Sequence, residues 1–459
     1  MSVSVPSPKR LETGLKGRIG WVMFDWAYQP FFALGTFIFA PYFATGFVGD
    51  AARGQALWGY MLGAAGLTVA FLSPFLGAAA DAVGRRKAWI FVFMIPTIAG
   101  SLIIWLAAPG DTHLVLAILV AYGAAVVAAE FATVFNNAML PSLAEDDAMG
   151  RLSGIGWAMG YAGGLIALIF ILLTAVLPET PLFGLDPLAR EADRIVGPFA
   201  AVWLIVFLIP FFVWTPDLPH TGRSLRQGVG EGVARLRATL AKVRRYKNIV
   251  RFLLARMLYQ DGLTAILSFG GIYGAGVFGW DITTLGLFAI ILIAVSVPGC
   301  LIGGVIDDRL GAKTTVLMAV MGLIIGTVGV LSVGPDTVLF VIPVEPVAPD
   351  GAPFASAGEQ VFLLFGVIIG FCVGPGQAAS RTLMARLAPA GMVTEFFGLY
   401  AFAGKATAFL APILIATVTA YYAAQRPGLA VVLVLLVAGL LLLIGVKEER
   451  AVPLEREAT

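Results

Sequence analysis

Apolar residues gather along this chain in long, nearly unbroken stretches, and polar residues are confined to the gaps between them. About 20 apolar residues let a helix cross the hydrocarbon of a bilayer, whereas strands of a membrane barrel alternate polar and apolar over about ten. The stretches here are of the first kind. They predict twelve spanning helices, centred within 20–47, 56–80, 88–108, 114–141, 151–177, 197–215, 249–277, 284–306, 313–333, 359–385, 394–423 and 427–446. The longest polar segment, 216–250, falls midway and sets six spans against six. The expected organisation is an N-terminal bundle over 1–215, a basic cytoplasmic linker over 216–250, and a C-terminal bundle with its tail over 251–459. Within the linker Val233, Leu236, Leu240 and Val243 recur at helical spacing among Arg235, Arg237, Lys242, Arg244 and Arg245. That suits an amphipathic helix on anionic headgroups, or a solvated tie between the bundles.

Composition narrows the class. Of 459 residues, 59% are hydrophobic and 13% charged, with a mean hydropathy of +0.91, whereas a soluble domain carries about 25% charged residues. Too little polar surface remains to cover the chain in water, so it is an integral protein of the lipid bilayer. A net charge of +2 offers no basic excess to nucleic acid. Cys300 and Cys372 lie in separate apolar stretches without disulfide or zinc spacing. No G-x-x-x-x-G-K-[ST] run is present, so ATP is not the energy source in this chain. His113 and His220 lie outside the spans, and no enzyme centre, metal site or cofactor is expected. The first twenty residues carry charges but no apolar core, which argues against a cleaved signal peptide.

Lys and Arg accumulate on the cytoplasmic side of membrane proteins. With the N-terminus inside, 24 of the 30 basic residues fall on that side, and only Arg53, Arg190, Arg194 and Arg426 fall outside. Both termini are therefore expected in the cytoplasm. The expected location is the plasma membrane, the inner membrane in a bacterium.

The chain repeats itself. The end of span 2 reads 77-GAAADAVGRRK-87 and the end of span 8 reads 304-GVIDDRLGAK-313. Gly77, Asp81, Gly84 and Arg86 match Gly304, Asp308, Gly311 and Lys313 at an offset of 227. Between spans 4 and 5 a second match, at an offset of 244, sets Leu143, Ala144, Gly154 and Gly160 on Leu387, Ala388, Gly398 and Gly404. The halves are duplicates.

A duplicated six-plus-six bundle with this pattern after spans 2 and 8 resembles the major facilitator superfamily over nearly the whole chain. The resemblance implies an all-α membrane protein, two pseudo-symmetric six-helix bundles in the major facilitator fold. Spans 1, 4, 7, 10 and partly 5 and 11 would then surround a central cavity. A narrower likeness lies in 21-WVMFDWA-27, 135-FNNAMLPSLA-144, 153-SGIGWAMGYAGG-164, 374-GPGQAASRTLMARL-387 and 396-FFGLYAFAGKATAFLAP-412. These resemble the bacterial relatives of the autophagy-associated vacuolar amino-acid effluxer, and imply amino acids as cargo. The chain departs from that pattern at Tyr28, Gln29 and Pro30, positions that would face ligand.

An ionised group at the membrane centre costs at least about 2.5–3.5 kcal/mol, so one that stays there usually faces a water-filled path or a partner. Such charges are Asp25 in span 1, Glu130 in span 4, Arg256 and Asp261 in span 7, and Lys405 in span 11, with Arg381 toward the inner end of span 10. Asp261, Asp25 and Glu130 are candidate proton carriers, Asp261 being the deepest at roughly 14 Å into its span. Each has a structural alternative: an interfacial pair for Asp25, a pair with Arg256 or Lys405 for Asp261, a neutral packed carboxyl for Glu130. Lys405, within 403-AGKATA-408, is a candidate ligand for a substrate anion or a snorkelling cation. Pro30 is expected to interrupt span 1, and Gly374, Pro375 and Gly376 to interrupt span 10, exposing backbone polar groups to a cavity or producing simple kinks. Candidate substrate contacts are thus Lys405, Gln29, Trp26, Tyr259, Asn136, Asn137, Gln377, Arg381 and Tyr400. Aromatic side chains among them suit helix packing equally.

At offset 244 Arg151, opening span 5, corresponds to Glu395, opening span 11. The superfamily resemblance sets span 2 against span 11 and span 8 against span 5. Arg85 or Arg86 would then lie beside Glu395, and Asp308 beside Arg151. Asp81, Arg85, Arg86, Glu395, Asp308 and Arg151 are therefore candidates for a cytoplasmic latch, with plain positive-inside anchoring as the alternative. The reading is a monomeric secondary transporter of a small polar or zwitterionic solute, an amino acid or derivative, working by alternating access and coupled to protons. Rival readings are a sodium- or proton-coupled sugar carrier of the same fold and a non-transporting scaffold or receptor.

Overall fold

The computed structural model describes residues 13–178, 182–219, 221, 230, 246–280, 282–345, 352–389 and 391–448. Among them twelve helices are long and apolar enough to cross a membrane. Spans 1 to 6 are Leu15–Phe47, Arg53–Val83, Arg86–Leu106, Thr112–Leu143, Met149–Val176 and Glu191–Trp214. Spans 7 to 12 are Lys247–Phe278, Thr284–Leu310, Ala312–Leu331, Ala357–Leu387, Val393–Tyr422 and Gln425–Ile444. Helices satisfy every backbone polar group internally, which is why long apolar stretches become helices in lipid. The largest departure from the expected bounds is span 6, which gains a polar first turn, Glu191–Arg194. A two-stranded antiparallel hairpin, Thr337–Val338 with Ile342–Pro343, lies between spans 9 and 10. The candidate amphipathic helix of the linker lies outside the described residues.

In the first bundle span 1 packs between spans 5 and 6, and span 4 packs on spans 2 and 3; in the second, span 7 packs on span 12 and span 10 between spans 8 and 9. The bundles meet along two seams, span 2 against Val393–Lys405 of span 11, and span 5 against span 8. Glycine makes this approach possible. A Cβ at Gly77 would overlap the Thr394 carbonyl and one at Gly398 the Ser73 carbonyl. At the other seam Gly154 meets the Cys300 carbonyl, and Gly304 lies against Gly150 and Arg151. Gly77 and Gly304 are repeat mates, as are Gly154 and Gly398, so the duplicated glycines mark where opposite backbones touch. Gly84 and Gly311 take φ of +97° and +98°, closed to most side chains, and turn span 2 into span 3 and span 8 into span 9.

The expected helix breaks fall elsewhere. Span 10 runs as one helix through Pro375. Its small residues serve packing instead: Pro375 seats against Gly303, and Gly374 admits Ser296 and Cys300 of span 8. Pro30 lies inside an α-helix that continues to Leu34, and irregularity follows only as wider π-helical turns at Gly35–Phe39 and Phe43–Phe47. Span 11 is the interrupted one, with turns over 406–409 between Val393–Lys405 and Leu410–Tyr422. Pro412, having no N–H to donate to the carbonyl of residue 408, lies in the first turn of the helix that resumes.

Candidate functional site

A cavity of about 340 Å³ lies between the bundles, lined from spans 1, 4, 5, 7, 10 and 11. Arg381 of span 10, close to the end that carries the basic turns, is gripped there by the opposite bundle. Its Nη1 pairs with Asp25 Oδ2 at 3.0 Å and donates to Asn137 Oδ1 at 3.2 Å. Its Nε donates to Ser153 Oγ at 2.9 Å, and its Nη2 to the Ser153 carbonyl at 2.7 Å. The guanidinium also lies 4.8 Å from the ring centroid of Trp21 and 5.7 Å from that of Trp157. A planar group with five donors can be held from spans 1, 4 and 5 at once, which a single ammonium could not match. Asn137 is the repeat mate of Arg381 at offset 244, so the two mates meet between the halves.

A second ion pair crosses the cavity higher up the same bundles. Lys405 Nζ of span 11 reaches Glu130 Oε1 of span 4 at 3.0 Å, with side chains 38% and 22% exposed. Span 7 contributes Arg256, Gln260 and Thr264, four residues apart and so on one helical face. Arg256 sits 3.5 Å from the Tyr400 ring centroid and donates to the Tyr400 carbonyl at 3.1 Å.

Of the residues singled out from sequence, Asp25, Gln29, Glu130, Asn137, Gln377, Arg381, Tyr400 and Lys405 line the cavity together. Four others do not. Asp261 follows Gln260 by one residue, about 100° round the helix, and is buried close to the Thr407 hydroxyl without hydrogen-bond geometry. Trp26, one residue past Asp25, turns to span 6, stacking on Trp203 at 5.6 Å and accepting its indole N–H at the carbonyl, 3.2 Å. Tyr259 is buried with its hydroxyl 2.7 Å from Ser380 Oγ. Asn136 is fully buried and accepts the Trp21 indole N–H at its carbonyl, 3.0 Å. Arg256, read from sequence as an intramembrane charge, also lines the cavity, together with Gln260, Thr264 and Trp157, which the sequence did not mark. A polar stripe at four-residue spacing from Arg256 in span 7 was the available signal for Gln260 and Thr264.

At the basic end, carboxylates dock on helix N-termini, where free N–H groups and the helix dipole favour an anion. Asp308 accepts from the N–H groups of Gly150 and Arg151 at 2.8 and 3.2 Å and pairs with Arg151 Nε at 2.6 Å. Asp81 accepts from the Glu395 N–H at 2.9 Å and pairs with Arg86 at 3.3 Å. Arg86 enters the seam, donating to Thr394 Oγ1 at 3.0 Å, while Arg85 is exposed at the turn. Glu395 thus meets Asp81 through its backbone N–H. Two acids unmarked by the repeat dock likewise: Asp217 on the N–H groups of Arg86 and Lys87, and Glu448 on those of Ala312 and Lys313. Arg386 joins Asp307 and Glu448, each at 2.7 Å, and reaches the Asp146 carbonyl at 2.9 Å.

Duplicated six-helix bundles clasped across a polar cavity define a membrane transporter of the major facilitator superfamily, not an enzyme. The fold matches a double-tryptophan variant of XylE with a TM-score of 0.71, over 94% of this chain and 96% of that one at 13% identity. It matches FucP in the outward conformation at 0.70, over 94% and 99% at 12% identity. Within that superfamily the chain belongs to the family described as vacuole effluxer Atg22 like, whose model matches residues 46–455. It is 25% identical over 447 residues to the uncharacterized MFS-type transporter YxiO of Bacillus subtilis, covering 95% of this chain and 96% of that protein. It is 26% identical over 312 residues to autophagy-related protein 22-1 of Penicillium rubens, covering 65% of this chain and 49% of that protein. The chain thus spans about half the length of such fungal relatives.

Proposed function

We propose that this chain is a monomeric secondary transporter that moves a small polar or zwitterionic solute, an amino acid or derivative, by alternating access coupled to protons. The observation that carries this reading is the clasp of Arg381 by Asp25, Asn137 and Ser153 beside an open polar cavity. A scaffold has no use for an open chamber lined by ion pairs between its halves. Opening the basic end requires span 10 to leave spans 1, 4 and 5, which strips Arg381 of its partners. A proton on Asp25 removes the charge that holds the guanidinium, and a proton on Glu130 does the same for Lys405. Both carboxyls face the cavity, so protons and solute would enter by one path. Asp81 and Asp308 act as the latch in this scheme, because rocking the bundles withdraws them from the N-termini of spans 11 and 5. With the basic end in the cytoplasm of a plasma membrane, both termini lie inside, and the described arrangement is closed to the cytoplasm.

The test is flux into proteoliposomes under an imposed pH gradient, with amino acids, sugars and organic anions as solutes. An amino acid should accumulate with the gradient and leak back when a protonophore is added. Asp25→Asn should still exchange solute but lose proton-driven accumulation. Absence of flux for every solute under every gradient would refute the transporter scheme, and accumulation of sugars alone would favour the sugar carrier.

A further inference from the structure

Spans 2 and 3 leave a common turn at Gly84 and part from each other. They barely touch beyond it and pack on span 4 instead, whereas spans 8 and 9, their repeat mates, pack on one another. The wedge between them is a groove of about 720 Å³, with span 2 as one wall, Phe93 and Pro96 of span 3 as the other, and span 4 as the floor. No described residue lines both this groove and the central cavity. Ala64 on the wall and Gly123 and Ala124 on the floor deepen it, and the rings of Phe93 and Phe131, 5.3 Å between centroids, close the end nearest the basic turns. The Thr68 hydroxyl donates to the Ala64 carbonyl at 2.8 Å, so it is not a free donor to the groove. On the open side Tyr60, Leu116 and Val120 are 75%, 72% and 63% exposed.

The groove occupies the half of the bundle away from the basic end. It runs from Leu57 to Thr68 on span 2, about 16 Å, and from Leu116 to Phe131 on span 4, about 22 Å. One leaflet supplies about 15 Å of hydrocarbon, or about 20–22 Å with its headgroups. An apolar hollow of this kind gives water no polar partners, so hydrocarbon is what fills it. Arg53 lies one helical turn above Leu57 on the same face of span 2, about 6 Å farther along the axis. That is the depth of a headgroup layer, which is about 5–8 Å thick. Arg53 is exposed, and among the described residues its guanidinium joins no ion pair. The other three arginines at this end are engaged: Arg190 with Asp193, Arg194 with Glu191, and Arg426 with the Tyr273 hydroxyl and the Val333 carbonyl. Asp50, the acid nearest in sequence, caps span 2 by accepting from the Arg53 backbone N–H at 3.0 Å.

We propose that this groove binds one phospholipid of the leaflet opposite the basic end, an acyl chain lying between spans 2 and 3 and the phosphate at Arg53. Phosphate is the anion that a free guanidinium recognises, and the chain supplies the packing contacts that spans 2 and 3 do not make with each other. Span 2 also forms the seam with span 11, so the lipid braces a helix that joins the bundles. The site is separate from whatever the central cavity carries.

The experiment is thermal unfolding of the purified, delipidated full chain in detergent with lipid added back. Probes are dioleoylphosphatidylcholine, dihexanoylphosphatidylcholine, which keeps the phosphate on short chains, and dioleoylglycerol, which keeps the chains without the phosphate. The first should raise Tm at a far lower concentration than the other two. Ala124→Trp fills the floor from an exposed position; it should unfold like the wild type without lipid and lose most of the rise. Should it fold poorly, Ala64→Trp on the wall, also exposed, takes its place. Arg53→Gln should need about fivefold more phospholipid for the same rise, the worth of one basic side chain at a lipid surface. Val202→Trp, which puts the same bulk on an exposed position of span 6, should respond as the wild type does. A phospholipid with a photoreactive acyl chain should label spans 2 and 4 in the wild type and not in Ala124→Trp. An unchanged lipid response or unchanged labelling in the groove variants overturns the proposal, as does an equal loss in Val202→Trp, which would make the response a property of the whole lipid-facing surface. Equal stabilisation by dioleoylglycerol overturns it too, because the phosphate would then have no part.

Discussion

The two seams share one duplicated plan and are held by different means. Where span 8 meets span 5, Asp308 docks on an N-terminus and its cation, Arg151, is 58% exposed. Where span 2 meets span 11, Asp81 docks in the same way, but its cation, Arg86, is buried. The C-terminal bundle adds a clamp, Arg386 between Asp307 and Glu448, that also touches the N-terminal bundle at Asp146. Repeat mates of Asp307 and Arg386 are Ala80 and Ser142, which cannot build it. Duplication therefore accounts for backbone geometry, glycines at the crossings and acids on helix ends, while buried charge was distributed unequally between the halves. The practical meaning is that the two seams should differ in strength although they look alike in pattern.

The sharpest way to break this contrast is Arg386→Ala, which takes away the guanidinium 2.7 Å from Asp307, a carboxylate nearly inaccessible to solvent. Removing one partner of a buried pair costs about 3–5 kcal/mol, so thermal unfolding in detergent should show a large drop in Tm. A change no greater than that of a surface variant would show that the clamp contributes nothing. Next in size is the comparison of Asp81→Asn with Asp308→Asn. The first removes the charge opposite a buried guanidinium, about 1–3 kcal/mol, and the second removes one opposite an exposed guanidinium at a helix N-terminus, about 0.3–1 kcal/mol. Labelling of a cysteine placed at the basic end should rise more for Asp81→Asn, and equal labelling would erase the distinction between the seams. Arg151→Ala should have the smallest effect, about 0–1 kcal/mol, because its cation is solvated; a larger loss of Tm would mean that Arg151 has a structural role beyond this pair.

Most of the architecture is legible in the amino-acid sequence. Run length identified the spans, and the repeat marked the glycines that the structure sets at the seams; Arg381 and Asn137, which stand at the same offset of 244, touch in the structure. The site was legible in part. Residues adjacent in sequence parted company in space: Asp25 lines the cavity and Trp26 packs on span 6, Gln260 lines it and Asp261 does not, Asn137 holds Arg381 and Asn136 is sealed in packing. Likewise Gly374, Pro375 and Gly376 read as a break and proved to be a packing face, and Asp217 and Glu448 carried no pattern that distinguished them from other acids beside a span.

Sequence alone determined that the chain lives in lipid, that it crosses the bilayer twelve times, and that its halves are copies, because the cost of placing residues in hydrocarbon accumulates along the chain irrespective of neighbours. Tertiary structure decided which charges face one another and which face the cavity. Each helical residue turns the side chain by about 100°, so the role of an intramembrane charge depends on how its helix is rotated against others more than a hundred residues away, and that rotation is set by packing.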